Sequence, residues 1–509
     1  FVGKNCQRDI ENISTGFVMH KYLKKTIEYA SGSFLNKLVL FLLLPIFTKF
    51  LLPEEYAVYS NVTIFVSFAS LVYTLGFQQS LFSYFYEKKS KEYQYTLIST
   101  IFITLFIVDF ILSLLLILFN NQFSLLLLRT ERYAKLFYYV SIIIFFDVQY
   151  SMTLSIFNIM EKSRHFIIFA SIKTVILAIL ILYGWIQRNL NIELVFTYIA
   201  VASTISALIS LIYLRNFHKK MIKRADKKPL LSFPLQIRLL KFGLVMIPGT
   251  IAMMSMKMLD RYMITYLSAK SVETALHNAG IYALGYKIGM LMNFLVSLIS
   301  LVYFPYAMRI SDRLEAKKIY KKMFTYYSIF GGLLGGLIIF FSSDIFLLFL
   351  NQNYYDSIKI VQFGVISVYL VGIFNLLNIG FYIKKKAKNI ALAFMIGAFV
   401  NIILNFLLIP HYGIYGAGLA SILAYFIIVI YEYWIVEKFY KVGYEIIYSI
   451  FMIIILFLIG IFSNMLPLNS NLFWLKLIIL IISLILLILY YRKNEKLQEL
   501  ITNIIRVKK

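Results

Sequence analysis

The side chains able to do chemistry in this chain are charged residues lodged in long apolar stretches. Lys37, Lys173, Lys257, Arg261, Lys287 and Lys476 are the basic ones, and Asp109, Asp147 and Asp260 the acidic ones. A charge at the centre of a bilayer costs about 2.5–3.5 kcal/mol on insertion scales, so such residues are expected to face a cavity or one another. Arginine offers an anion a two-pronged fork and lysine a point charge. A carboxylate in the same setting offers a site to a proton or a small cation.

Lys37 lies about ten residues into the first apolar stretch, near mid-depth at ~1.5 Å per residue. That is too deep for easy snorkelling, and a substrate contact is expected. Lys257 and Arg261, four apart, share a helix face with Asp260 beside them. The spacing predicts either a cavity cluster whose carboxylate takes a coupling proton or cation, or an internally neutralised structural set. Lys287 enters the next stretch from the outer side and is expected to face the stretch that carries Lys257 and Arg261. Lys173 sits at moderate depth. Asp109 and Asp147 are expected to act as proton sites or to pair with Lys173 or a tyrosine. Lys476, within one turn of the end of its stretch, is expected to snorkel. Gln78, Gln79, Asn158, Asn375, Asn378, Asn401 and Asn405 read as interhelical hydrogen-bonding groups.

The elements that position these residues must be membrane helices. Of 509 residues 61% are hydrophobic and only 15% charged, against about 25% charged in a typical soluble domain. Each crossing needs roughly 20 apolar residues, and open sheets would leave backbone groups unpaired in lipid. Apolar runs place fourteen spans near 27–51, 56–78, 95–119, 136–160, 165–187, 193–214, 242–266, 279–306, 325–350, 358–382, 389–410, 414–436, 444–465 and 472–491. Between the third and fourth, LLLLRTERY also fits an interfacial helix.

With the N-terminus inside, 37 of the 50 lysines and arginines fall in inner loops and tails and seven in outer loops. This bias puts both termini in the cytoplasm and explains the net charge of +26 without nucleic acid. Cys6 is the only cysteine, so no internal disulfide or thiol metal site is expected. The five histidines have no metal-ligand spacing, and no nucleophile elbow or phosphate loop is present. No polar segment has room for an ATPase domain. Transport would draw on a proton or sodium gradient, on the substrate gradient or on downstream consumption. Residues 1–18 lack a helical apolar face, and Met19 is the expected natural start.

The longest polar segment, His218 to Lys241, separates six spans from eight. The expected organisation is a cytoplasmic tail (1–26), an N-lobe (27–214), a basic linker (215–241), a C-lobe (242–436), two further helices (437–491) and a basic tail (492–509). Aromatic runs lead into basic loops in both halves, at SLFSYFYEKK (80–89) and SLVYFPYAMR (300–309), as in transporters built from repeated bundles. Pro45, Pro248 and Gly249 lie at similar depth near the start of each half and are expected to act as hinges.

Four stretches resemble one family. KFGLVMIPGTIAMMSMKMLDRYMI (241–264) resembles the seventh helix of the polysaccharide-transport branch of the multidrug/oligosaccharidyl-lipid/polysaccharide superfamily. AGIYALGYKIGMLMNFLVSLISLVYFPYAMRISDR (279–313) resembles its eighth helix and basic exit loop. NIILNFLLIPHYGIYGAGLASILAYF (401–426) resembles its Asn-rich eleventh helix, turn and GxxGAGxA motif. LPEEYAVYS (52–60) resembles its first outer loop, with Ala57 where the family usually has Gly.

The resemblance implies a Wzx-type flippase that moves undecaprenyl-pyrophosphate-linked oligosaccharide units, of O-antigen, capsule or similar polysaccharide, across a bacterial cytoplasmic membrane. It implies an all-α fold of two six-helix lobes around a V-shaped cavity, alternating access, and helices 13 and 14 shaping a lipid-tail groove. Lys37, Lys173, Lys257, Arg261 and Lys287 would then bind the pyrophosphate, and Asp260, Asp109 and Asp147 would couple an ion. Partners would be the lipid-linked substrate, membrane lipids, and polysaccharide polymerase and chain-length machinery. A cation exporter of the same superfamily calls for an acidic cavity, and a lipid II flippase would share the pyrophosphate. A glycan polymerase usually carries a large outer loop, which this chain lacks, so an enzyme is not expected.

Overall fold

The computed structural model describes residues 36–222 and 231–468, apart from 37, 89, 161 and 387, together with Phe473, Trp474 and Lys476. The termini, span fourteen beyond Lys476 and the Lys37 side chain lie outside the described residues. Everything described is helix or short connection, and ten helices are long and apolar enough to cross a membrane.

The first lobe contains α1 (Leu38–Phe50), α2 (Pro53–Tyr73), α3 (Phe77–Tyr84), α4 (Lys91–Leu118), α5 (Asn120–Leu128), α6 (Leu136–Ile159), α7 (Ser163–Ile186) and α8 (Ile192–Ile222). The second contains α9 (Phe233–Leu267), α10 (Val272–Leu298), α11 (Ala316–Phe340), α12 (Ser342–Phe349), α13 (Ile358–Ile383) and α14 (Lys388–Phe439). Helix α15 (Ile446–Met465) follows. The basic connection is shorter than the expected 215–241, because α8 runs on to Ile222 and α9 begins at Phe233.

Local chemistry sets the ends. Pro53 opens α2, where its missing N–H costs nothing, and the Glu55 carboxylate accepts the Leu52 N–H. Ser90 caps α4 by accepting the Tyr93 N–H at 3.2 Å. LLLL of the ambiguous third connection forms the end of α5, closed by Arg129 in the left-handed conformation. The expected turn between spans eleven and twelve is a single break: α14 is divided into two arms at Gly413, whose φ of 54° and ψ of −133° no helix contains. Beyond Leu298, α10 continues through a wide π turn at Ile299–Tyr303 to Arg309.

The loops that carry the lysine and arginine runs gather at one face of the bundle, the basic face. Tyr86 donates to the Ile159 carbonyl there, and Glu445 joins Lys321 at 2.9 Å, clipping α15 to α11. In the second lobe α13 is buried along most of its length and packs against both arms of α14 and against α10.

Candidate functional site

Two sites meet on α9. Asp260, 3% exposed, points into the second lobe. It accepts hydrogen bonds from Tyr282 of α10 at 3.0 Å, from Asn405 of the first arm of α14 at 2.8 Å and from Ser421 of the second arm. Asn405 also donates to Asn401 at 3.1 Å. Four polar side chains thus close around one carboxylate. Asp260 and Arg261 do not pair with each other; consecutive helical residues lie about 100° apart, and these two part company.

Arg261 turns instead to a cavity of about 500 Å³ between the lobes, where it donates to Ser60 of α2 at 3.1 Å. Lys287 of α10 lines the same cavity, its ammonium 6.0 and 5.8 Å from the ring centres of Tyr56 and Tyr59. Tyr286 and Tyr425 add aromatic surface. Among the described lining residues none is acidic. Its described charges are thus both cations, set beside aromatic walls. A second, apolar groove of about 460 Å³ lies between α11 and α15, floored by Gly332 and Gly336.

Other expected site residues lie elsewhere. Lys173 places its ammonium 2.6 Å from both oxygens of Asp147, so those two neutralise each other inside the first lobe, as the pairing alternative predicted. Asp109 is buried on α4 away from them; Gln149 donates to one oxygen at 2.9 Å, and the other has no hydrogen-bond partner among the described residues. Lys476 does not snorkel. It is 3% exposed, paired with Asp344 at 2.7 Å and also donating to Ser343 and the Phe340 carbonyl. The ion pair and the two hydrogen bonds hold the ammonium inside, where an acidic partner on α12 takes the place of water. Pro45 lies just after a turn in α1, and Pro248 sits exposed within an unbroken α9. The side chain of Lys257 and the surroundings of Gly249 lie outside the described residues.

Helix α9 touches the first lobe at both ends. On the basic face Gly243 meets Gly76 backbone to backbone, Ser80 donates to the Leu239 carbonyl at 2.8 Å, and Arg238 pairs with Glu87 at 2.9 Å. Gly76, at φ 67°, needs its missing side chain twice over, for the turn and for the contact. On the opposite face Arg129 donates to the carbonyls of Thr265, Ala269 and Lys270 at 3.0–3.1 Å. Tyr262 donates to the Asn61 carbonyl, and Asn61 to Thr265 at 3.0 Å. His277 meets Glu54 at 2.7 Å.

The sequence family described as polysaccharide biosynthesis protein matches residues 22–311, more than half of the chain. The chain belongs to that family. Its fold is that of solved transporters of the multidrug/oligosaccharidyl-lipid/polysaccharide superfamily. The lipid II flippase MurJ in an inward closed conformation superposes with a TM-score of 0.65 at 19% identity, over 92% of this chain and 99% of that one. An inward-facing multidrug resistance MATE family transporter superposes at 0.62 with 12% identity, over 80% and 96%. An uncharacterized membrane protein of Methanocaldococcus jannaschii is 27% identical over 225 residues, and the match spans 42% of that relative's length.

Within this chain two features escape a reading of the sequence and a third does not. Ser421 stands just after the GAG motif of the second arm of α14, yet nothing in its type reveals that it bonds Asp260. Arg129 looks like one more outer-loop cation. Glu432, an acid inside an apolar run, carries a signal the sequence does show.

Proposed function

We propose that the chain is a flippase moving a pyrophosphate-linked oligosaccharide lipid, of the undecaprenyl type, from the cytoplasmic to the outer leaflet of a bacterial inner membrane by alternating access. The observation that carries this reading is the cavity between the lobes, with Arg261 and Lys287 on its wall and no acidic lining among the described residues. A diphosphate presents the charge these two cations would neutralise, and the tyrosine faces suit sugar rings. The apolar groove between α11 and α15 fits an isoprenoid chain. A cation exporter would need negative charge where the positive charge stands. The expected roles of Lys37 and Lys257 belong to the same reading. Asp260, sealed in the second lobe one residue from the cavity cation, is the proposed site of coupling to a proton or sodium ion, with Asp109 the candidate in the first lobe. Polymerase and chain-length machinery would consume the product.

The test is genetic. The gene is deleted in its host and complemented with wild type, Arg261→Ala or Lys287→Ala at equal expression. Lipid-linked units held on the inner leaflet, released by wild type and not by the variants, support the reading. Normal surface glycan in the deletion strain, with greater sensitivity to cationic drugs, overturns it in favour of the exporter. Accumulation of lipid II with normal units overturns it in favour of the peptidoglycan precursor.

A further inference from the structure

Glu432 lies on the second arm of α14, eleven residues beyond Ser421. Eleven residues return to the same helix face, three turns and ~16 Å along the axis. Ser421, Tyr425, Ile428 and Glu432 therefore form one buried stripe. Its upper end touches Asp260, and Tyr425 lines the cavity. Its lower end is a carboxylate with 0% exposure, seven residues from the end of the helix at the basic face.

The surroundings of Glu432 hold no cation within ion-pair distance among the described residues. From α13, Asn378 brings one end of its amide to 3.0 and 3.2 Å from the two carboxylate oxygens. Lys384 and Lys386, farther along that chain, lie over the rings of Tyr440 and Phe439. On its own helix the titratable groups nearest along the chain are Tyr425, Tyr431, Tyr433, Glu437 and Lys438, and Glu437 accepts the backbone N–H of Gly443. From α9 come Asp260 and Arg261, and from α10 Tyr282 and Tyr286, all at the cavity end.

A bare carboxylate sealed from water without a counter-ion is strongly disfavoured; the same group carrying a proton needs only a hydrogen-bond partner. Asn378 serves both states. Its NH2 donates to a carboxylate and its carbonyl accepts from a carboxylic acid, so half a turn of the amide exchanges the roles with no backbone movement.

We propose that Glu432 is a proton-binding site in the basic-face half of the second lobe, separate from the Asp260 cluster. The bound form is the carboxylic acid, made from the carboxylate and one proton of the adjoining aqueous face. Release returns the proton to that face and leaves a charge that the sealed contact does not tolerate. Proton loss is therefore tied to separation of α13 from the second arm of α14 and entry of water between them.

Infrared spectroscopy of the purified full chain in lipid vesicles tests this without any transported substrate, so its outcome is independent of the flippase reading. Wild type minus Glu432→Gln at neutral pH should show the carbonyl stretch of one protonated, buried carboxyl. That band should vanish at alkaline pH, while amide hydrogen exchange in α13 and the second arm of α14 rises in wild type and not in the variant. Asn378→Leu, which keeps the carboxyl and removes its partner, should shift the band. A flat difference spectrum at neutral pH, or a band unmoved by Asn378→Leu, overturns the proposal.

Discussion

Asp260 and Arg261, consecutive in α9, serve different compartments: the carboxylate is enclosed by Tyr282, Asn405 and Ser421 inside the second lobe, and the guanidinium reaches across the cavity to Ser60 of the first. A change at the first can thus be felt one residue away at the wall that would meet a substrate. The two are separable by mutation.

Asp260→Ala strands three buried donors. At about 1–3 kcal/mol for each unsatisfied group, with partial relaxation, the loss is on the order of 3 kcal/mol and should appear as a lower unfolding temperature in detergent. Asp260→Asn keeps the shape and should unfold close to wild type while losing ion dependence of transport. Equal melting of Asp260→Ala and wild type would contradict the enclosed geometry.

Lys287→Ala removes one of the two like charges described on the cavity wall and, among the described residues, breaks no hydrogen bond or ion pair. Its thermal stability should match or exceed wild type, and its complementation of surface glycan should fail. Stability falling together with function would assign Lys287 a packing role instead.

Arg129→Ala removes three hydrogen bonds from the end of α9. The site is partly exposed, so about 1–2 kcal/mol is expected, a factor of roughly 5–30 in the population opened on that face. Alkylation of Thr63→Cys, on the cavity wall, by an impermeant reagent added from the Arg129 side should speed up by that factor. An unchanged rate would remove Arg129 from the seal.

Gly243→Ala adds a methyl group that meets the Leu75 carbonyl. Gly243 has ordinary helical geometry, so the effect is steric alone. Spin labels at Glu87 and Arg238, paired across the basic face, should move apart by pulsed electron resonance. A distance distribution identical to that of the parent would mean that the glycine contact is slack.

Lys476→Met leaves Asp344 buried and unpaired, at about 3–5 kcal/mol. Adding Asp344→Leu should recover most of the unfolding temperature. No recovery would show that Lys476 acts through Ser343 and the Phe340 carbonyl instead.

The long apolar helices were legible because lipid imposes one rule on any segment that crosses it: a run of apolar residues long enough to span. The contact of Asp147 with Lys173 could be anticipated, since two opposite charges in one lobe have few other partners. The destination of Asp260 could not. Its neighbours Ser421 and Asn405 come from the two arms of α14 and are brought together only by the break at Gly413. Lys476 was misread for a similar reason, because depth along its own helix says nothing of an aspartate more than a hundred residues earlier. Glu432 shows the converse: a lone acid in an apolar run is visible in the sequence, but its closed surroundings appear only once α13 is laid against it.

Both sets of contacts between α9 and the first lobe sit on a single helix, with Pro248 between them. A passage open to both sides at once would short-circuit any ion gradient across the membrane. Such a leak requires both sets to be broken together, and where they break independently its probability is the product of two small numbers. Were α9 to bend at Pro248, the expected hinge, one end could swing while the other stays docked. Electrical insulation of the membrane during turnover would then rest in part on one rod held at two points.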